Sequence, residues 1–224
     1  MTTLGRRSFL ALGAAALVGC TNTAARQSQP LAPRPGPTLQ PNSAITSLAM
    51  VGDSITAGSA PALTTGLTAA GVESLRIEGE ASRRIDVGSG RGSEPLSGVK
   101  VVFSLLAEGL QPGAWVIELG TNDVGSYADA DAYGDLIDKI TTMLPPPTPL
   151  AWVNVYRPQY PEHTVMFNDV LAQRMAARGN AVVADWYSVA SGPDQSVLRA
   201  DNLHPNDNGE QALTLLVIQA LQQL

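Results

Sequence analysis

The chain has 224 residues, a formal net charge of −6 and a single cysteine. This length suits one globular domain with a terminal tail. Nucleic-acid binding is not expected, because a chain without a basic cluster beyond its first residues lacks the positive face that phosphates require. One cysteine also excludes a disulfide within the chain.

The first 19 residues predict an export signal. Arg6 and Arg7 precede an apolar run over residues 10–18, which is too short to cross a bilayer. The arginine pair and the Ser-Phe-Leu after it are similar to a twin-arginine signal, and residues 17–20 resemble the lipobox of bacterial lipoproteins. This resemblance implies that Cys20 begins the mature protein and carries lipid. The expected location is the outer face of the cytoplasmic membrane, where the lipid anchors an exported protein.

Residues 20–43 predict a linker behind the lipidated cysteine. Prolines stand at positions 30, 33, 35, 37 and 41, and almost no apolar periodicity accompanies them. Such a composition gives a semi-rigid, locally polyproline-like spacer. The globular domain is then expected over residues 44–224, which are enough to bury one core.

Apolar runs of strand length alternate with helical patterns along this domain. Strands separated by helices indicate an α/β fold with a parallel sheet covered on both faces. In chain order the pattern predicts a strand over 47–51, a helix over 61–70, a strand over 75–78, a helix over 95–110, a strand over 114–119, a helix over 130–144, a strand over 150–156, a helix over 162–178, a strand over 181–186 and a helix over 206–224.

Polar side chains follow three of the predicted strands. Ser54 follows the first strand, Asn122 the third, and Asp201 and His204 the fifth. Parallel α/β folds bind ligands outside the carboxyl ends of their strands. We therefore expect these side chains to converge at one edge of the sheet.

Ser54 stands in Gly52-Asp53-Ser54, where the glycine permits a tight turn after the strand. Taken alone, a serine here fits the N-cap of a helix. As a nucleophile, it would also gain an oxyanion donor from its own backbone N–H at the helix N-terminus. The motif is not the G-x-S-x-G elbow of larger hydrolases.

His204 has a carboxylate close by in the sequence, since Asp201 lies three residues before it. The loop can bring this carboxylate to Nδ1 and leave Nε2 for Ser54, which supplies the base, acid and nucleophile of serine ester chemistry. Asn122 fits either a turn residue or a neutral oxyanion donor. His163 lacks such a partner and is expected to be exposed. Two distant histidines serve a metal poorly, so no metal site is predicted.

Three segments together resemble blocks I, III and V of the SGNH, or GDSL-type, hydrolases. They are Gly52-Asp53-Ser54, Gly120-Thr121-Asn122-Asp123 and Asp201-x-x-His204, and the resemblance covers residues 45–224. It implies a flavodoxin-like three-layer α/β/α sandwich and no cofactor. It also implies that Ser54 is the nucleophile, His204 the base, Asp201 its partner, and Asn122 an oxyanion donor together with the backbone of Ser54.

Block II departs from the family pattern, which commonly has a glycine that donates a backbone N–H after the second strand. Ser82 is the position that matches this glycine best, with Arg83 second. Arg83 and Arg84 fit a solvated charge pair, or else a contact to an acidic or polyol substrate. The oxyanion hole is thus expected to combine Ser54, Ser82 and Asn122.

Within the family, residues 154–158, the helix around Asn168 and residues 183–186 are most similar to extracellular domains fused to membrane O-acyltransferases. We expect a serine esterase that removes short acyl groups from cell-envelope glycans or glycolipids, since the residues after Ser54 are small and only weakly apolar. The alternatives are an O-acyltransferase that uses the same acyl-enzyme, a lipase or thioesterase for longer chains, and a non-catalytic envelope-binding lipoprotein. The complete Ser54, Asp201 and His204 set disfavours the last.

Overall fold

Five parallel strands form one sheet in the order β2-β1-β3-β4-β5. A computed structural model describes residues 45–193 and 196–224, so the predicted export signal, Cys20 and the linker lie outside the described residues. The elements in chain order are β1 (Ser47–Gly52), α1 (Ser54–Ala69), β2 (Ser74–Gly79), α2 (Gly98–Ala107), β3 (Ala114–Glu118), α3 (Ala130–Thr141), β4 (Leu150–Val153), α4 (Pro161–Arg178), β5 (Ala181–Ala184), α5 (Trp186–Ala190) and α6 (Asp207–Leu221).

The sheet lies between two layers of helices, because its strands alternate apolar side chains toward both faces. Ala49 and Val51 of β1 face the core built with α2, α3 and α4. Leu48 and Met50 face the opposite core, built with α1, α5 and α6. The predicted flavodoxin-like three-layer sandwich with five parallel strands is confirmed.

The strand order reverses between β1 and β3, which are neighbours in the sheet although β2 separates them in sequence. Ligands of open parallel sheets bind at such a reversal, beyond the carboxyl ends of the strands. The segments that follow β1 and β3 carry Ser54 and Asn122, so the topology alone brings the two residues to one crevice.

Most predicted bounds shift by one to three residues, as at β4, which ends at Val153 rather than at residue 156, and two elements differ further. Helix α1 begins at Ser54 and includes Pro61, because the Asp53 side chain accepts a hydrogen bond from the Ile55 N–H and caps the helix there. Strand β5 ends at Ala184, and Asp185 caps the short helix α5 that follows. None of the described helices is long and apolar enough to span a membrane.

Candidate active site

Ser54, His204 and Asp201 form one line of hydrogen bonds. Ser54 is the first residue of α1, while the two others lie in the loop before α6. His204 Nε2 lies 2.9 Å from Ser54 Oγ, and His204 Nδ1 lies 2.7 Å from Asp201 Oδ2. The structure therefore brings together the three side chains that the sequence singled out.

The loop that carries the base is held by its own hydrogen bonds. Asp201 Oδ1 accepts the backbone N–H groups of Leu203 and His204, each at 3.0 Å. Asn202 takes a left-handed backbone with a φ of 56°, a conformation that asparagine tolerates better than most residues. The Asn206 side chain donates to the carbonyls of Ser196 and Leu198, which closes the loop at its base.

Asp201 stays ionised over the whole neutral range. The hydrogen bonds from the His204 ring and backbone lower its pKa to about 2. An ionised carboxylate is acceptor-only, so the Nδ1 atom of His204 must carry the proton. In the neutral imidazole Nε2 is then an acceptor for the Ser54 hydroxyl, which is the tautomer that general-base activation of a serine needs.

Two backbone N–H groups of the predicted oxyanion hole donate to no partner in the part of the chain that the structure describes. They belong to Ser54 itself and to Ser82. The Arg83 N–H, in contrast, donates to the Glu80 carbonyl at 3.2 Å. Of the two block II candidates, Ser82 is therefore the one with an available donor. Its φ of 62° is the left-handed conformation that a glycine adopts freely.

Asn122 connects the segments that carry these donors. Its Nδ2 donates to Asp53 Oδ2 and to the Arg83 carbonyl, each at 3.1 Å. Asp53 precedes Ser54, and Arg83 follows Ser82. The amide thus lies against both halves of the predicted oxyanion hole, and it is far from a simple turn residue.

Arg83 and Arg84 are not the solvated charge pair that the sequence favoured. Arg83 is 3 % exposed and donates to the carbonyls of Gly52, Glu78 and Leu96. Its guanidinium therefore supplies hydrogen-bond donors to carbonyl oxygens at the ends of β1 and β2 and at Leu96. Arg84 pairs with the buried carboxylate of Asp123 at 3.3 Å. Two adjacent arginines are usually predicted to be exposed. The carbonyl groups that bind Arg83 come from other segments of the chain, so the local sequence does not indicate its burial.

Three buried acids around the site were not predicted as functional. They are Asp53, Glu118 and Asp123, each at most 2 % exposed. Burial raises the pKa of Asp53 and of Asp123 to about 6, and raises that of Glu118 well above its ordinary value. A charged residue at the end of an otherwise apolar strand, as at Glu118, was the one available sequence signal.

His163 differs from its predicted exposure. It is half-buried, and its Nδ1 lies 3.1 Å from the Tyr133 hydroxyl. Within the described residues, no group of three or more His, Cys, Asp or Glu side chains is arranged to hold a metal ion.

The enclosed space beside Ser54 is small. Its volume is about 20 Å³, close to what one water molecule occupies. Its walls are formed by Ser54, Ile55, Gly58, Ser59, Arg199, His204, Pro205 and Glu210. A larger groove of about 800 Å³ lies between α1 and α6, and neither Ser54 nor His204 lines it.

Comparison with known families decides the class of protein. Residues 50–212 match the GDSL-like lipase/acylhydrolase family, which is most of the described chain. The chain belongs to this family. The family membership expected from the three sequence blocks is confirmed, and the protein is a hydrolase of the SGNH esterase type. No curated protein matches the chain.

Solved structures share the fold at low sequence identity. The catalytic domain of peptidoglycan O-acetyltransferase A from Streptococcus pneumoniae is similar with a TM-score of 0.61 and 18% identity, covering 80% of this chain and 94% of that one. TesA gives 0.63 and 21%, covering 79% and 98%. A family 3 carbohydrate esterase from Clostridium thermocellum gives 0.57 and 18%, covering 79% and 96%.

Proposed function

We propose that this protein is an exported, lipid-anchored serine esterase that hydrolyses short O-acyl groups of cell-envelope glycans or glycolipids. The observation that carries the chemistry is the continuous contact from Ser54 Oγ through His204 to Asp201, at 2.9 and 2.7 Å. A nucleophile, an oriented base and unpaired backbone donors are together what ester cleavage through an acyl-enzyme requires.

In the proposed mechanism, His204 Nε2 takes the Ser54 proton while Oγ attacks the ester carbonyl. The oxyanion that forms is stabilised by the Ser54 and Ser82 N–H groups, and by Asn122 as it turns one amide hydrogen toward the substrate. His204 then protonates the leaving alcohol, which departs and leaves an acyl-Ser54. A water molecule, deprotonated by the same nitrogen, attacks this ester, and the acid product and free Ser54 result.

Short acyl groups are favoured by the size of the site. A pocket of about 20 Å³ beside Ser54 matches a methyl-sized group better than a longer chain. A buried methylene contributes about 0.8 kcal/mol only when it leaves water, so longer chains gain nothing there. The groove between α1 and α6 supports the second candidate, a lipase or thioesterase, because Glu210 borders both spaces.

The proposed envelope location is supported by the amino-terminal sequence, and the proposed glycan substrate by proteins of the same fold. The amino-terminal residues resemble a lipoprotein export signal that ends at Cys20. Two proteins of the same fold are named as a peptidoglycan acetyltransferase and a carbohydrate esterase, which makes O-acyl sugars a natural substrate class. Full-length protein should partition with membranes, and Cys20→Ala should release it. A lipid-free mature protein that starts after Cys20 would contradict the anchor.

A chain-length series of nitrophenyl esters tests the activity and its acyl preference together. We expect kcat/KM to fall from the two-carbon to the twelve-carbon ester, and Ser54→Ala to lose more than about 10³-fold in rate. Ser104→Ala, on the exposed face of α2, is the matched control and should stay near wild type. A steady rise in kcat/KM with chain length would instead select the lipase or thioesterase. Residual turnover above about a tenth in Ser54→Ala would remove Ser54 as the nucleophile.

A further inference from the structure

Two carboxyl groups lie buried directly behind Ser54, and the proposed reaction uses neither. Asp53 precedes the serine and is 0 % exposed, while Glu118 ends β3 and is 2 % exposed. We propose that Glu118 is a neutral carboxylic acid that positions Asp53, and through it both the first turn of α1 and Asn122. The inference rests on the proposed roles of Ser54 and Asn122.

Glu118 holds the turn that carries Ser54. Its Oε2 accepts the Thr56 N–H at 3.1 Å, the Thr56 hydroxyl at 2.9 Å and the Asp53 N–H at 3.3 Å. Its backbone carbonyl also accepts the Asp53 N–H, at 3.2 Å. One buried side chain thus ties β3 to the residues on both sides of Ser54.

Asp53 extends the same contacts to the oxyanion donor. Its Oδ1 accepts the Ile55 N–H at 2.9 Å, and its Oδ2 accepts Nδ2 of Asn122 at 3.1 Å. Glu118, Asp53 and Asn122 are therefore linked in series, so that a displacement of Glu118 also displaces Asn122. Glu118 itself touches no reacting atom, so it is a positioning residue.

The charges around the pair decide which carboxyl keeps the proton. Burial raises the pKa of both groups, and the charge of Asp53 raises that of Glu118 further. Arg157 lowers the pKa of Asp53, as does His204 when it is protonated, and Arg83 interacts with the same carboxylate. Asp123 is the other acid facing Asp53. Cations on the Asp53 side favour an ionised Asp53, and Glu118 is left as the acid that donates to it.

Ionisation of Glu118 would then place two like charges side by side in the interior. Such repulsion displaces Asp53 from Asn122, which weakens the oxyanion hole and lowers kcat with little change in KM. Wild-type kcat should therefore decline as pH rises through the ionisation of Glu118. Glu118→Gln cannot ionise, yet its amide still accepts from Thr56 and donates to Asp53.

The test is the pH profile of kcat and KM for nitrophenyl acetate from about pH 6 to about pH 10. Glu118→Gln should stay within about threefold of wild type at neutral pH and lose this decline. Glu118→Ala should lower kcat by about 10- to 100-fold while KM changes less than about twofold. Glu108→Gln, on the exposed end of α2, is the matched control and should keep the wild-type profile.

An infrared measurement reads the proton directly and does not depend on turnover. In Ser54→Ala protein above about pH 7, one buried carboxylic acid band should remain, because Asp53 and Asp123 are ionised by then, and Glu118→Gln should remove it. No such band, or a decline of kcat with rising pH that persists in Glu118→Gln, overturns the inference. Failure of the proposed function would appear elsewhere, as activity that survives in Ser54→Ala.

Discussion

Replacing Asp201 by asparagine should harm the enzyme more than replacing it by alanine. Asp201 Oδ1 accepts two backbone N–H groups, from Leu203 and His204, while Oδ2 faces His204 Nδ1. An asparagine must place its oxygen where the two N–H groups point. Its NH₂ group then faces Nδ1, which forces the imidazole proton onto Nε2 and removes the acceptor that Ser54 needs.

The magnitude follows from these contacts. Two backbone hydrogen bonds at about 1 kcal/mol each favour the unproductive orientation by about 2 kcal/mol, or about 30-fold. The rare productive orientation offers a neutral acceptor to the imidazolium, which loses about another 1.4 kcal/mol, or tenfold. Asp201→Asn should therefore lower kcat/KM by about 300-fold. Asp201→Ala loses both backbone contacts as well, but the imidazole loses only its one charge-assisted bond, about 1.5 to 3 kcal/mol, or about 10- to 150-fold in rate.

Initial rates on nitrophenyl acetate, with thermal unfolding of each variant, measure this order. Asp201 is 48 % exposed, which places the alanine loss toward the lower end of its range. Asp129→Asn is the matched control, since Asp129 caps α3 through the Ala132 N–H and asparagine caps equally well. An asparagine variant as active as the alanine variant refutes the orientation argument. Retention of more than about a tenth of kcat/KM in both refutes a role for Asp201.

Three further outcomes are expected. Asn122→Ala should lower kcat about 10²- to 10³-fold with KM nearly constant, and an unchanged kcat would return Asn122 to a turn role. Gly79→Ala should destabilise the fold by about 1 to 3 kcal/mol in chemical denaturation, because its Cβ would lie 2.5 Å from the Ala57 nitrogen in α1, whereas Gly192→Ala, with its nearest contact at 3.5 Å, should be neutral. Burial raises the pKa of Asp123 from 3.8 to about 6, so the folded state holds this proton more tightly than the unfolded state. The resulting stabilisation is fully present below about pH 3.8 and is lost as pH rises through about 6. Relative to wild type, Asp123→Asn should thus gain about 3 kcal/mol between about pH 4 and about pH 7, and parallel stability curves would contradict the assignment.

Much of the fold was readable from the sequence because strands and helices differ in apolar spacing. The boundaries that failed depended on contacts that spacing does not encode. Helix α1 was predicted to begin at Pro61, a favourable first helical residue, whereas the Asp53 cap starts it at Ser54. Helix α5 was missed because the sequence prediction extended the fifth strand through Trp186, whereas Asp185 caps a helix there.

The site divides in the same way. Asp201 and His204 were recognisable because they lie three residues apart, and Ser54 because of its motif. The burial of Arg83 and the clustering of Asp53 with Glu118 come from separate strands meeting in space. No local pattern records such meetings, so charged residues that build the floor of a site look like ordinary surface residues in the sequence.

The hydrogen bond between Ser54 and His204 joins positions 150 residues apart. The nucleophile is made early on the ribosome, and its base arrives with nearly the last stretch of chain. A product that stops before Asp201 carries an inert hydroxyl, and contacts of such long sequence separation form late in folding. Ester cleavage therefore reports that translation and folding have both been completed, and an unfinished copy leaves the esters around it untouched.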